Sequence, residues 1–184
     1  MTAQASGDRR DFVIKTAQSH DLAKIAGVIT ESFHPVGDWS SWFSPLLWLA
    51  IQQDLRMRVE DRSQHYICLV GMTPVCQYEQ QIVGVIEVSL RCLDAWQDSR
   101  FAYISNLAVR PDYRRQGLAQ QLLLACEQQV KAWGLHELYL HVLENNQSAR
   151  QLYGKLGYRL HTADTLWLGM LFGQPRRLLL HKRF

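Results

Sequence analysis

The sequence lacks long apolar runs and paired cysteines, and both absences narrow the class of protein. No apolar run among its 184 residues approaches the roughly 20 residues that a helix needs to cross a bilayer, so no membrane partner is expected. The cysteines, Cys68, Cys76, Cys92 and Cys126, include no pair at metal-ligand or redox spacing. We therefore expect no disulfide framework, no bound metal, and a reducing cytoplasm as the compartment.

A strong charge of either sign is also absent. The net charge is +3, and the densest basic cluster falls within residues 176–183. Nucleic-acid binding usually requires a broader basic face, so no nucleic-acid partner is expected. Residues 1–11 are polar and carry no apolar stretch of the kind found in secretory signals. We expect a flexible leader over 1–11 and one domain over 12–184, acting as a monomer or homodimer.

Hydrophobic periodicity divides the rest of the chain into strands and helices. The predicted strands are 12–17, 66–70, 82–90, 102–109, 138–142 and 178–184, and the predicted helices are 22–29, 45–59, 118–133 and 146–156. The segment 160–174 is predicted to be a loop. Strands that alternate with helices in the second half predict an α/β fold with a mixed sheet.

A basic, glycine-containing segment joins strand 102–109 to the helix that follows. Free N–H groups and the helix dipole attract anions at such a position, and Gly117 allows a close backbone approach. A basic turn capped by glycine is the ordinary alternative. The segment has neither the Gly-Lys-Ser/Thr of a P-loop nor Gly-x-Gly-x-x-Gly, so a phosphate-bearing carrier is favoured over nucleotide hydrolysis or hydride transfer. Its residues are Arg114, Arg115, Gln116, Gly117, Leu118 and Ala119.

This hexapeptide resembles the acetyl-CoA loop of the GNAT (GCN5-related N-acetyltransferase) superfamily, Arg/Gln-x-x-Gly-x-Gly/Ala. The segment 146–153, followed by Gly157 and Tyr158, resembles the family's Asn-x-x-Ala-x-x-x-Tyr motif with its closing glycine and aromatic residue. The resemblance runs from about residue 103 to 158. It implies the GNAT fold, with about six or seven strands, a sheet splayed beside the cofactor strand, and about four helices. It also implies an enzyme that transfers acetyl from acetyl-CoA to a primary amine.

The resemblance also implies which residues hold the cosubstrate. The strand before the loop would bond the pantetheine arm through its backbone, the loop would wrap the pyrophosphate, and Asn146 would hydrogen-bond the pantetheine. The implied cofactor-binding residues are Leu107, Ala108, Val109, Arg114, Arg115, Gln116, Gly117, Leu118, Ala119, Asn146 and Tyr153.

Acetyl transfer requires a neutral amine and a proton for the departing thiolate, so titratable side chains near the cofactor are the catalytic candidates. Tyr153 lies two helical turns beyond Asn146, and the resemblance implies that it protonates the thiolate. A tyrosine of the amphipathic core is the alternative. Glu87 is a candidate base, with an exposed edge carboxylate as its ordinary explanation.

The other candidate base is His141, which should project from the less apolar face of its strand. The strand 138–142 resembles that of the Naa50/Naa60-like and RimI-like branch of protein N-terminal acetyltransferases. In that branch a histidine here and a tyrosine on the preceding strand, matched by Tyr103, position a water that deprotonates the amine. A structural histidine satisfied by one hydrogen bond is the alternative.

The acceptor is indicated by a loop near residue 33. Phe33, Pro35 and Val36 resemble the Phe-Pro-Val stretch that lines the peptide pocket in the same branch, although His34 is inserted here. The segment 160–174 lacks the paired tyrosines of the opposite substrate loop. We expect acetylation of a protein or peptide amine, either an N-terminus or a lysine. A small-molecule amine acetyltransferase and a non-enzymatic acyl-CoA-binding protein are the alternatives.

Overall fold

The computed structural model describes residues 12–33, 65–73, 81–94, 97–163 and 175–184. The strands are β1 (Val13–Thr16), β2 (Tyr66–Met72), β3 (Ile82–Asp94), β4 (Gln97–Val109), β5 (Glu137–Leu143), β6 (Arg159–Ala163) and β7 (Arg177–Arg183). The α-helices in these residues are α1 (Leu22–Phe33), α2 (Leu118–Ala132) and α3 (Gln147–Lys155). The helix predicted over 45–59 lies outside the described residues.

The strands form one sheet in the order β1-β2-β3-β4-β5-β7-β6. Neighbouring strands are antiparallel except β4 and β5, which are parallel and are joined by a crossover through α2. A parallel pair requires a long crossover, and a helix commonly supplies it. The predicted α/β fold with a mixed sheet of about six or seven strands is therefore confirmed.

Buried side chains cover both faces of the sheet. Ile86 and Val88 of β3 belong to a core that also includes Leu122 of α2, whereas Val85 belongs to a second core with Ile25 of α1. Strands buried on both faces read as continuous apolar runs, which explains why β3 was recognisable in the sequence. The two cores fix α1 and α2 on opposite faces of the sheet.

The strand β6 corrects the prediction of a loop over 160–174. Its five residues are all exposed, including Leu160 at 58%, and it pairs with β7 at the edge of the sheet. An exposed edge strand has no buried face, so it shows no alternation of apolar and polar residues. Residues 164–174 lie outside the described part of the chain.

Candidate active site

A gap opens in the sheet between β4 and β5. The two strands pair only where Ala102–Ile104 lie beside Leu138–Leu140. Beyond that point β4 continues to Val109 against β3, while β5 continues to Leu143 against β7. The strands therefore diverge after their third paired residue, as the resemblance implies. A gap of this kind leaves strand backbone available to a ligand.

A β-bulge lies where the gap begins. Glu87 pairs with Asn106 but Val88 pairs with Ile104, so Ser105 is an extra residue in β4. The extra residue places the side chains of Tyr103 and Asn106 on the same face, although they are three positions apart. The Ser105 hydroxyl oxygen is buried and has no hydrogen-bond partner in the structure.

The backbone of β4 presents hydrogen-bonding groups to the gap. The Arg110 N–H donates to the Val83 carbonyl of the β3 side at 2.9 Å. Backbone groups alternate in direction along a strand, so those of Leu107 and Val109 point away from β3, toward the gap. The Val109 carbonyl accepts hydrogen bonds from Ser32 Oγ at 3.2 Å and Arg114 Nε at 3.0 Å. The side chain of Ala108, between them, is buried against the α1 core.

The loop before α2 forms an anion-binding geometry. Gly117 has φ of +87° and precedes α2 without a side-chain cap, and Arg115 also has a positive φ, of +64°. The first backbone hydrogen bond of the helix runs from the Gln121 N–H to the Gly117 carbonyl. The amides of Leu118 and Ala119 therefore lie in the first turn, before any intrahelical bond. Such amides, together with the helix dipole, favour a bound phosphate.

Two side chains of the loop donate hydrogen bonds to backbone carbonyls of the protein. Arg114 Nη2 donates to the Ser32 carbonyl at 3.2 Å, in addition to the bond from its Nε to Val109. Gln116 Nε2 donates to the Asp112 carbonyl at 3.0 Å, whereas the buried Gln116 Oε1 has no partner. Arg115 is exposed. The Arg114 guanidinium thus ties the loop to the end of α1, a contact that the sequence did not indicate.

Tyr103 and His141 meet across the paired segment of β4 and β5. Tyr103 Oη lies 2.7 Å from His141 Nδ1, and the direction of the hydrogen bond depends on the histidine tautomer. His141 alternates with the buried Leu140 and Val142, so it projects from the opposite face, as predicted. The predicted pair of side chains is therefore in contact at the mouth of the gap.

Tyr153 lies on the other face of the sheet, within the core that packs against α2. It is 6% exposed, its ring makes an edge contact with Tyr158, and burial raises the pKa of its hydroxyl to about 12. Asn146 is the N-cap of α3, where its Oδ1 accepts a hydrogen bond from the Ala149 N–H at 3.2 Å. The cap uses only the side-chain oxygen, so the Asn146 amino group is left to donate.

Glu87 differs from the exposed edge carboxylate that was its ordinary explanation. Its side chain is fully buried in an interior strand. Oε1 accepts a hydrogen bond from Asn106 Nδ2 at 2.7 Å, and Oε2 accepts one from Tyr66 Oη at 2.9 Å. Both oxygens are occupied by donors, which stabilises a buried carboxylate. No local pattern predicts these contacts, because they join residues on three different strands.

The predicted acceptor residues lie mostly beyond the described chain. Phe33 ends α1, and its side chain is not among those described, while Pro35 and Val36 fall outside the described residues. In the part of the chain that the structure describes, no helix is long and apolar enough to span a membrane. The same part contains no cluster of three or more His, Cys, Asp or Glu that could hold a metal ion.

The sequence and the fold both match known acetyltransferases. The model of the acetyltransferase (GNAT) family matches residues 31–158. GCN5-related N-acetyltransferase 10, chloroplastic, from Arabidopsis thaliana is 29% identical over 89% of this chain and 68% of its own length. The [ribosomal protein bS18]-alanine N-acetyltransferase of Haemophilus ducreyi is 40% identical, over 31% of this chain and 39% of its own. Three further chloroplastic relatives are matched over less than a third of their length.

A solved structure supports the fold independently. The PaiA N-acetyltransferase of Thermoplasma acidophilum, in complex with coenzyme A, superposes with a TM-score of 0.71 at 18% identity, covering 95% of this chain and 99% of that one. The placement in the Naa50/Naa60-like and RimI-like branch and the cytoplasmic compartment stay predictions. Because the family model matches well over half of the chain, this chain belongs to the acetyltransferase (GNAT) family, and the prediction that it is an N-acetyltransferase is confirmed.

Proposed function

We propose that the protein acetylates the amine of a protein or peptide, with an N-terminus as the first candidate. The observation that carries this proposal is the 2.7 Å contact between Tyr103 and His141 at the mouth of the gap, because it provides a base beside a binding cleft. The alanine N-acetyltransferase of Haemophilus ducreyi, named for a ribosomal protein, supports a protein acceptor. The proposed membership of this chain in the Naa50/Naa60-like and RimI-like branch rests on the same two residues, Tyr103 and His141.

The residues present fit acetyl-CoA, which when bound supplies the acetyl group as a thioester. The first-turn amides of α2 would hold its pyrophosphate, and the backbone of Leu107 together with the Val109 N–H would bond its pantetheine arm. Two buried oxygens without a partner, Ser105 Oγ and Gln116 Oε1, lie in the gap strand and in the loop respectively. Buried polar atoms normally find a partner, so these two atoms are consistent with a bound ligand.

His141 is proposed as the base and Tyr103 as the side chain that orients it. In the tautomer with hydrogen on Nδ1, the Tyr103 oxygen accepts that hydrogen, and Nε2 is the ring nitrogen that would receive the amine's proton, directly or through a water. Tyr103 and His141 share one face of the sheet, whereas Tyr153 lies on the other. An amine would therefore approach from the α1 side.

Tyr153 is proposed to donate its proton toward the departing sulfur. Burial raises its pKa to about 12, so the phenol stays protonated at neutral pH and is always available as a donor. An ordinary thiol is a stronger acid than such a phenol, so complete proton transfer to the thiolate is uphill, and Tyr153 would stabilise the departing sulfur by donating a hydrogen bond to it. The apolar surroundings that raise the pKa also strengthen the hydrogen bond.

Glu87 is proposed to hold the bulge rather than to act as the base. Its carboxylate joins Asn106, next to the bulge, to Tyr66 of β2. Both oxygens of this carboxylate therefore accept hydrogen bonds from protein donors, which ties the side chain to its neighbouring strands. The bulge in turn fixes where β4 leaves β5, so Glu87 acts on catalysis through the shape of the gap.

The test is acetyl-CoA turnover on a panel of peptides with free or blocked N-termini, lysine-containing peptides and polyamines. His141→Gln is expected to lower kcat by about 100-fold or more, and Tyr103→Phe by a smaller factor. Tyr139→Phe is the matched control, because Tyr139 lies beside Tyr103 in the register of β4 and β5 but bonds Glu137 instead. Equal rates for His141→Gln and the parent would rule out His141 as the base. Turnover confined to polyamines would rule out a peptide acceptor.

A further inference from the structure

A cation lies against the proposed base pair. Arg91 extends from β3 and is exposed, and its guanidinium carbon lies 3.9 Å from the centre of the Tyr103 ring. The hydroxyl of that ring lies 2.7 Å from His141 Nδ1. Cations at this distance from an aromatic face are held by the ring quadrupole. The guanidinium is therefore fixed beside the place where an acceptor amine would be deprotonated.

No described carboxylate neutralises Arg91. The ion pairs in the described residues involve other cations, and the stacking on Tyr103 is the one interaction that the Arg91 side chain makes with those residues. On β5, Glu137 is already bonded to Tyr139 Oη at 2.9 Å and lies 3.8 Å from Arg183 Nε. The buried Glu87 is bonded to its own donors, as described above. The guanidinium group thus stacks on one ring, and its five N–H donors have no anion among the described residues.

We propose that Arg91 is a carboxylate-binding subsite for the acceptor, so that the enzyme favours peptides with Asp or Glu as the second residue. The proposal rests on the proposed peptide acetylation and names its substrate class. Given the stacking distance and the size of a phenol ring, the guanidinium lies roughly 4 to 7 Å from the Tyr103 oxygen. An extended peptide advances about 3.5 Å per residue, so an amine at Tyr103 and His141 places the next side chain within reach of Arg91.

The chemistry of guanidinium favours this occupant. Its N–H donors lie in the plane of the group, so they can bind both oxygens of a carboxylate while one face stays stacked on an aromatic ring. A basic side chain at the same peptide position would instead be repelled. Because Arg91 is exposed, solvent screening limits the preference to roughly two- to fivefold in kcat/KM.

Three peptides that differ only at position two, with Glu, Gln or Lys, test the proposal. The parent enzyme is expected to acetylate them in that order of kcat/KM, and the spread should shrink in 0.5 M salt, an ionic strength at which the screening length is only about 4 Å. Arg91→Gln should remove the spread, and Arg91→Glu should reverse its order. Lys155→Gln is the control, because it removes one exposed charge at the end of α3, away from the base pair.

The outcomes separate this proposal from the proposed function. Acetylation of all three peptides at equal rates by the parent would overturn the subsite and leave peptide acetylation in place. If Arg91→Gln lowered kcat/KM equally on all three peptides and left their order unchanged, the subsite would be overturned. Arg91 would then act only by positioning Tyr103. Faster turnover of free aspartate than of any peptide would overturn the peptide acceptor, and no turnover of any amine would overturn both proposals.

Discussion

A side chain at Gly84 is expected to destabilise the protein, because α2 packs directly on β3 at that position. A Cβ built on Gly84 would lie 2.8 Å from Leu118 Cδ2 and 3.1 Å from Leu122 Cδ1. Both leucines are buried, at 1% and 0% exposure, so neither can swing into solvent. Overpacking of this kind typically costs about 1–3 kcal/mol. For a chain of this length, Gly84→Ala should lower Tm by roughly 3 to 10 °C.

The same substitution should weaken cosubstrate binding. Leu118 is the first residue of α2, and its amide belongs to the turn proposed to hold the pyrophosphate. If the helix relaxes away from the added methyl group, this turn moves with it. Gly84→Ala should therefore raise KM for acetyl-CoA several-fold, while KM for the acceptor changes less. Thermal unfolding and steady-state kinetics at varied acetyl-CoA measure the two effects.

Gly27→Ala is the matched control for Gly84→Ala. Gly27 is in the interior of α1, and no atom lies within 4 Å of a Cβ built there, so alanine should stabilise the helix by about 0.5–1 kcal/mol. Leu118→Val added to Gly84→Ala should recover part of the lost stability, because it removes the atoms in conflict. A Gly84→Ala protein with the parent's Tm and the parent's KM for acetyl-CoA would refute the packing argument.

Three further substitutions test other parts of the site. Gly117→Ala forces a positive φ on a residue with a Cβ but meets no atom, so it should cost about 1 kcal/mol by denaturant titration and raise KM for acetyl-CoA. Tyr153 has a raised pKa, so its contribution to stability is present below pH 10 and is lost as the pH rises toward 12; Tyr153→Phe should flatten that part of an alkaline unfolding curve. Glu87→Gln turns an acceptor into a donor facing Asn106 or Tyr66, so the free energy of unfolding should fall by about 1–3 kcal/mol. A kcat loss above 100-fold without destabilisation would instead make Glu87 the base.

Much of the fold could be predicted from the sequence, because most elements bury a face that shows its own period. The alternation of Leu138, Leu140 and Val142 predicted β5 and also predicted that His141 faces the other way. The loop before α2 was recognisable because its position, between a strand and an amphipathic helix, determines what its amides can do. The local sequence pattern was sufficient to predict an element wherever a buried face or a helix end determined its geometry.

The remaining features depend on register between strands, which local pattern does not encode. The contact of Arg91 with Tyr103 and the burial of Glu87 both result from side chains on neighbouring strands sharing a face. β6 was missed for the opposite reason, since it has no buried face at all. The sequence of an apolar strand therefore does not indicate whether a charged residue within it is exposed. Glu87, for which an exposed carboxylate was the ordinary explanation, is fully buried.

The bulge at Ser105 explains why register matters so much here. If Ser105 instead paired regularly with Glu87, β4 would keep strict alternation, and Asn106 would point with Ile104 into the core that packs against α2. Its amide would then be buried without Glu87, and Glu87 would lose one of its donors. The insertion instead keeps Tyr103, Asn106 and Ala108 on one face, at the point where β4 leaves β5. One inserted residue therefore both completes the buried polar contact and marks the opening of the gap that acetyl-CoA is proposed to fill.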